Sequence, residues 1–251
     1  MSPTRARPPL SVVVISHRWR SHPAMVDACL ESIRRQTLQG FQLIVQFCEA
    51  PWPEKVNDAV EATRGERILL ICDDDLLGLR TALEELLNAS IDMGAHITYG
   101  DKRHFQDGQD PTSGVLHRVH GEQYAPGKAY RTKLPIEQFA KGCALPLTCL
   151  ITREWWNQLD GYDIIANADT DFWLRTALAG GKLCYLARPV LDYREHPGQL
   201  SRTLGAISMR AYFRKHFAVL GVDLRPDGSA AVVPLDERAI YAAEHFTPFA
   251  P

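Results

Sequence analysis

The sequence of 251 residues contains no C-x-x-C pair. Its six cysteines, Cys29, Cys48, Cys72, Cys143, Cys149 and Cys184, are scattered, which argues against a zinc ribbon or a thioredoxin-type centre. Several lie inside apolar runs such as "LIVQFC" and "ILLIC" and read as small buried hydrophobes in a reducing compartment. No apolar run approaches the roughly 18 residues of a membrane span. "LSVVVIS" follows two arginines but is short and runs into "HRWR" without a small-residue cleavage site, so it reads as a first strand and not as a secretory signal. A dominant charge is missing too. With 28 basic and 30 acidic residues the net charge is −2, which gives no support for a nucleic-acid binder and leaves room for a local basic patch. No internal repeat is present. What remains is an ordinary soluble composition, 45% hydrophobic and 23% charged, long enough for one sizeable α/β domain in the cytoplasm.

Strand and helix patterns alternate along the first hundred residues. "LSVVVIS" (Leu10–Ser16) is a continuous β-branched run of the kind covered on both faces. "PAMVDACLESIRRQ" places Met25, Cys29 and Ile33 at helical spacing. "FQLIVQF" predicts a second strand, "EKVNDAVEATRG" a helix closed by Gly65, "RILLIC" a third strand, "RTALEELLNASIDMG" a helix stopped near Gly94, and "AHITYG" a fourth strand. This predicts a doubly wound, mainly parallel sheet flanked by helices. From Lys102 to Lys133 the chain is polar and glycine- and proline-rich, a long excursion or a flap. Order resumes at "CALPLTCLITREWWNQL", then "DFWLRTALAGG" predicts a helix and "KLCYLA" a strand; the tail after Phe217 reads as loosely structured. "MRAYFRKHFAVL" puts Met209, Tyr212, Phe213, Phe217 and Leu220 on one helical face, which suits packing against the domain or lying on a membrane surface.

The third strand runs into Asp73, Asp74 and Asp75. If the strand continues, Asp73 and Asp75 share a face and Asp74 takes the other. In an open α/β sheet the carboxyl ends of strands line the ligand crevice. Paired carboxylates there repel unless a cation lies between them or one is protonated. A divalent metal shared with a phosphate resolves that conflict; solvation of a strand end and capping of a helix beginning near Leu79 is the plainer alternative. An aspartyl phosphatase wants a small hydroxyl residue where Leu77 stands.

Taken together, these segments resemble the family 2 glycosyltransferases of GT-A fold. "ACLESIRRQT" is similar to that family's C-L-x-S-x-x-x-Q-T helix. "NDAVEATRGERILLICDDD" resembles its N-x-G-x-x-x-A-x-G-E-x-x-x-x-x-D-x-D segment, with Asn57, Gly65, Glu66, Asp73 and Asp75 read as matches and Ala59 and Thr63 as departures. "ITYGD" resembles the strand that follows, and "LDGYDIIANADTDFWLRTALAGGKLCYLARPVLDYREHPGQLS" the closing block. The resemblance covers roughly Leu10 to Ser201. It implies a single GT-A domain over residues 10–217, nucleotide-sugar-binding to about residue 100 and acceptor-binding and catalytic beyond, followed by a tail over 218–251.

The implied activity is inverting transfer of a sugar from a nucleotide diphosphate sugar, a UDP-sugar first, to an acceptor hydroxyl, with Mn²⁺ or Mg²⁺ bound. The resemblance assigns the metal to Asp73, Asp75 and His196. It assigns the donor to Ser16, His17, Asn57, Asp73 and Asp74, and the catalytic base to Asp169; two further donor candidates are Lys55, placed to neutralise a phosphate or pair with a strand-end carboxylate, and Glu49, a substitute for an acid the family has and this chain lacks. Asp171 lies four residues before Arg175, which predicts an ion pair instead; for Asp169 the alternative role is a helix N-cap. One departure concerns the nucleobase. The family's second strand ends in D-D-G-S, whereas here Phe47 and Cys48 occupy the acidic positions and Glu49 follows. The acceptor is left open among a glycan, a lipid-linked glycan, a protein and a nucleic acid. Two rival functions share these features: a metal-dependent nucleotidyltransferase, and a non-catalytic module of the same fold that binds a glycan or a partner.

Overall fold

The computed structural model describes residues 8–17, 22–48, 52–120, 125–141, 145–165, 167–199, 209–225 and 229–246. Strand β1 (Leu10–Ser16) is buried along its whole length and lies between β2 (Gln42–Phe47) and β3 (Arg67–Cys72), parallel to both. Helices α1 (Pro23–Arg34) and α2 (Trp52–Glu61) make the two crossovers. They land on opposite faces: Cys29 and Ile33 of α1 join Val12 and Val14, while Val56, Ala59 and Val60 of α2 join Val13 and Ile15. A strand covered on both sides gains nothing from alternation, which is why "LSVVVIS" is apolar throughout.

Beyond β3 come β4 (Leu76–Leu77), α3 (Ala82–Met93), β5 (Ile97–Gln106), β6 (Val115–His117), β7 (Ala129–Thr132), β8 (Leu150–Thr152), α4 (Arg153–Gln158), α5 (Ala168–Leu178) and β9 (Leu183–Glu195). The main sheet runs β2-β1-β3-β8-β5-β9-β4, with β6 on β5 and β7 on β9. Pairing is parallel for β1, β2 and β3 and for β5 with β9; the short β8 is antiparallel to both β3 and β5. Helices α1 and α3 cover one face, and α2, α4 and α5 the other.

Several expectations change. The helix expected near Leu79 begins at Ala82, because Leu76 and Leu77 first pair with β9. The strand expected as "AHITYG" continues to Gln106, held by pairing with β9 along its whole length. The stretch Lys102–Lys133 is no free flap among its described residues: β6 folds back on β5 and β7 pairs with β9. Two of its basic groups are engaged as well. Arg103 makes a two-point contact with Asp192 at 2.8 and 3.0 Å, and Lys102 lies over the Tyr193 ring. The described residues of the tail are ordered too, with a turn of helix at Phe217–Leu220, the antiparallel pair β10 (Val222–Leu224) and β11 (Ala230–Val232), and a helix at Arg238–His245. Residues 209–215 are helical, and Tyr212, Phe213, Phe217 and Leu220 are buried in the domain, so this apolar face is not offered to a membrane. No helix among the described residues is long and apolar enough to cross a membrane.

Gly65 shows how tightly β1 and β3 are joined. Its N–H donates to the Ser11 hydroxyl at 2.8 Å, and a Cβ there would lie 2.4 Å from the Ser11 backbone nitrogen. Gly65→Ala is therefore expected to destabilise the protein by about 1–3 kcal/mol, the usual range for overpacking. Denaturant unfolding checks this; an unchanged midpoint refutes the close approach.

Candidate functional site

The carboxyl ends of β1, β2 and β3 meet at one edge of the sheet. Strand β3 stops at Cys72, and Asp75 N–H donates to the Cys72 carbonyl at 3.2 Å, closing a tight turn over residues 72–75. The alternation expected of a continuing strand therefore does not extend to the aspartates. Asp73 swings toward β1, where the Ser16 hydroxyl donates to its carboxylate at 2.6 Å. Asp74 and Asp75 come together with Cys72, and one potential ligand atom from each lies within 4.8 Å of the others. Asp73 is thus not in the cluster that the sequence assigned it to. Counted from Gly65 and Glu66, five intervening residues put the acidic pair of the resembled pattern on Cys72 and Asp74, one place earlier than Asp73 and Asp75. The cluster contains both of those residues, with Asp75 besides. Cys72 is the member of this cluster that the sequence reading did not include, and the spacing was the available signal.

Strand β9 supplies the walls. Arg194 N–H donates to the Asp75 carboxylate at 3.0 Å, and its guanidinium donates to the Asp74 carbonyl at 2.9 Å and to Asp107 at 2.8 Å while covering the Phe105 ring. His196, buried, meets the Asp74 carboxylate through Nε2 at 3.0 Å. Gln199, also buried, holds the turn that carries this histidine, accepting from His196 N–H and donating to the Arg194 carbonyl. So His196 belongs to the cluster's support, one step behind the position expected of a ligand. Arg194 and Gln199 are further positioning residues that no spacing rule points to.

Electrostatics describe a site short of positive charge. Burial, then the charge of Asp74, hold the Asp75 carboxyl well above the usual carboxylate range, against the pull of the Arg194 N–H. Burial raises the Cys72 thiol well above its ordinary value, followed by the charges of Asp74, Asp75, Asp73 and Asp169. The charge of Asp169, at the start of α5, thus also acts on this thiol. Asp169 is partly buried, its carboxyl accepts Thr170 N–H at 2.8 Å, and burial raises its pKa. The helix N-cap is Asn167, so Asp169 sits inside the first turn and not at the cap. Asp171 behaves differently. It is fully buried and paired with Arg175 at 2.7 Å, with His216 at 2.6 Å and with Lys215. Burial alone would raise it, but the bonds from His216 and Lys215 and the charge of Arg175 prevail and bring it to about 2.

The remaining expected donor contacts divide. Ser16 is fully buried and bonded to Asp73; His17 follows at the mouth of β1. Burial, then the charge of Asp73, raise the Cys48 thiol to about 11, with Lys55 opposing, so Lys55 stands near the same edge. Its ammonium, however, pairs with Asp58 at 3.0 Å. Asn57 has another task. Its side-chain amide donates to the Tyr162 carbonyl at 2.8 Å and accepts Tyr162 N–H at 2.9 Å, locking α2 to the turn at Gly161. Gly161 has φ +63, and a Cβ there would meet Asn57 Oδ1 at 2.8 Å. This two-point clamp leaves the Asn57 amide little capacity for a nucleotide. Phe47 ends β2 and Cys48 is buried behind it; Glu49 lies outside the described residues.

A divalent cation fits this donor set. Asp75 is 4% exposed, and among the described residues only one donor, the Arg194 N–H, reaches its carboxylate. A buried carboxylate with one donor, beside a second carboxylate and a thiol, is a set of residues that could hold a divalent cation.

No family profile and no curated protein matches the sequence. Solved structures do match its fold. S. aureus TarS 1–349, in complex with UDP-GlcNAc, superposes with a TM-score of 0.58 at 12% identity over 84% of this chain and 73% of that one. The longer S. aureus TarS structure gives 0.56 at 13% identity, covering 93% of this chain but 47% of its own length. The mannosyltransferase PcManGT from Pyrobaculum calidifontis, in complex with GDP-Man and Mn²⁺, gives 0.52 at 16% identity over 96% of this chain and 70% of that one. The chain has the GT-A fold, a mixed and mostly parallel sheet between layers of helices.

Proposed function

We propose that this protein is a glycosyltransferase that moves a sugar from a nucleotide diphosphate sugar to an acceptor hydroxyl, with inversion and with Mn²⁺ or Mg²⁺ at the acidic turn. The observation that carries the proposal is the convergence of Cys72, Asp74 and Asp75 at the carboxyl end of a central strand, with the charge of Asp169 acting on the Cys72 thiol. The solved neighbours support it, since one is bound to UDP-GlcNAc and another to GDP-Man with Mn²⁺. In the proposed chemistry, the turn over residues 72–75 holds the cation, which when bound supplies Lewis-acid stabilisation to the charge of the diphosphate. Ser16 fixes Asp73 beside the ends of β1 and β2, where the nucleoside half of the donor would lie. Arg194, His196 and Gln199 keep the turn in place. Asp169 accepts the proton of the acceptor hydroxyl as its oxygen attacks the anomeric carbon; the bond from that carbon to the diphosphate oxygen breaks, and the electron pair leaves with the diphosphate. A desolvated carboxyl with a raised pKa is a better base than an exposed one.

A panel of nucleotide sugars, each with and without Mn²⁺, tests the proposal by thermal shift and calorimetry. A ligand that binds only the folded state stabilises it by about 2.7 kcal/mol at a hundredfold excess over Kd. Asp75→Ala is expected to abolish the metal-dependent part of nucleoside diphosphate binding while the fold survives. Equal affinity with and without metal in the unaltered protein refutes the metal assignment. Release of a nucleoside diphosphate, rather than pyrophosphate from a triphosphate, separates sugar transfer from nucleotidyl transfer.

A further inference from the structure

We propose that the Cys72 thiol is itself a ligand of the cation, so that the site binds through one sulfur and two carboxylates and favours thiophilic ions over Mg²⁺. The inference rests on the metal-site reading above and specifies its chemistry.

Three observations carry it. The potential ligand atoms of Cys72, Asp74 and Asp75 lie within 4.8 Å of one another. Ligands around a tetrahedral ion with ordinary metal–sulfur and metal–oxygen bonds stand roughly 3.5–4 Å apart, so small side-chain rotations suffice to close the set. Second, the five described cysteines are all free, and Cys72 is the one that is not buried. The thiols of Cys29, Cys149 and Cys48 each point to a nearby carbonyl oxygen, whereas the Cys72 sulfur makes no hydrogen bond among the described residues. The residue is only partly covered, and its sulfur is not engaged by any hydrogen bond among the described residues. Third, the neighbouring Asp75 is 4% exposed and, among the described residues, its carboxylate accepts one hydrogen bond, from a backbone N–H, which leaves it acceptor capacity for a cation.

A purely oxygen site suits Mg²⁺ and Mn²⁺, and a thiolate tilts the balance toward Co²⁺, Zn²⁺ and Cd²⁺. On binding, the thiol gives its proton to solvent as the metal–sulfur bond forms. Arg194 and His196 stabilise the turn without touching the sulfur, so replacing Cys72 should alter ion preference more than fold.

Cobalt is the probe. The full chain, kept reduced, is titrated with Co²⁺. Equilibrium dialysis counts bound ions while absorbance reads the sulfur-to-cobalt charge-transfer band. The expected result is one ion bound with the band present. In Cys72→Ser the band should vanish and Co²⁺ affinity should fall at least about tenfold, the lower end for losing even a supporting partner, with Mg²⁺ binding nearly unchanged. Cys72→Asp should raise Mg²⁺ affinity relative to Co²⁺, and Cys29→Ser should keep the band. Melting temperatures confirm that each variant is folded. One cobalt bound without a sulfur band, or a band that survives in Cys72→Ser, overturns the proposal while the carboxylate site stands. If no ion binds, or if Asp75→Ala binds like the unaltered protein, the metal-site reading itself fails and the inference with it.

Discussion

Replacing Asp169 with asparagine is expected to lower turnover by roughly 10²–10⁴-fold, the usual contribution of a positioned base, and to leave donor affinity near its original value. Asparagine retains the oxygen that accepts Thr170 N–H, so the first turn of α5 keeps its local bond. It removes only the capacity to take a proton. The proposed donor-binding turn follows β3 and is braced by β9, and among the described residues none of the hydrogen bonds that hold it involves Asp169. Because burial raises the Asp169 pKa, the acid limb of the rate profile should lie above the ordinary carboxylate range: the base is ionised above that pKa, and activity falls as pH drops through it. The measurements are donor affinity, melting temperature and turnover for Asp169→Asn and Asp169→Ala, made together once an acceptor is in hand. A purely structural role predicts the reverse pattern, with full turnover in the asparagine variant and a modest stability loss in the alanine variant. Full activity in Asp169→Asn would falsify the assignment.

The largest effect on stability is expected at Asp171. Its carboxylate is fully buried and serves Arg175, Lys215 and His216 at once. Arg175 in turn donates to the carbonyls of Leu159 and Gly161, so one carboxylate ties α5 both to the turn before it and to the helical residues 209–215. Removing it takes the counter-charge from the half-buried Arg175 and from Lys215 and the hydrogen-bond partner from the buried His216. Asp171→Ala is expected to cost about 3–5 kcal/mol, which for a chain of this size lowers Tm by on the order of 10 °C. The depressed pKa gives an independent check. A carboxyl at about 2 in the folded state and near 4 in the unfolded one contributes on the order of 2 kcal/mol. That contribution is complete above pH 4 and disappears as pH falls toward 2. The variant should lose this acid sensitivity. Asp163→Asn is the control, because Asp163 reaches only the partly exposed Lys215 from the surface and such pairs contribute less than about 1 kcal/mol. Equal losses in the two variants would contradict the account.

The elements that the sequence made legible are those whose pattern follows from burial alone. "LSVVVIS" and "RILLIC" are covered on both faces, and Met25, Cys29 and Ile33 face the core of α1 as their spacing requires. The pairing of Asp171 with Arg175 was readable for the same reason, being local on one helix. What escaped depends on partners far along the chain. The alternation rule placed Asp73 and Asp75 on one face, but it assumes a strand, and the strand ends at Cys72 because β4 must turn to meet β9. Asn57 looked like a donor contact because nothing nearby in sequence announces its partner Tyr162, 105 residues away. The ordered tail was missed because its hairpin is short and its hydrophobic anchors, Phe217, Leu220 and Val222, are few.

The turn over residues 72–75 is fastened from both ends of the chain: by Ser16, 57 residues before Asp73, and by Arg194 and His196, 119 and 122 residues after their partners. Such separations make its assembly a late event in folding, since distant segments must be brought together before these contacts can form. A nascent chain emerging N-terminus first displays three adjacent carboxylates for the whole time it takes β5 and β9 to be synthesised and paired. During that interval the acidic turn has neither its backbone donor nor its histidine. On the proposed function, competence to bind a donor is expected only once β9 closes the sheet, and cation binding measured during refolding should appear with the slowest phase, reporting completion of the fold rather than its onset.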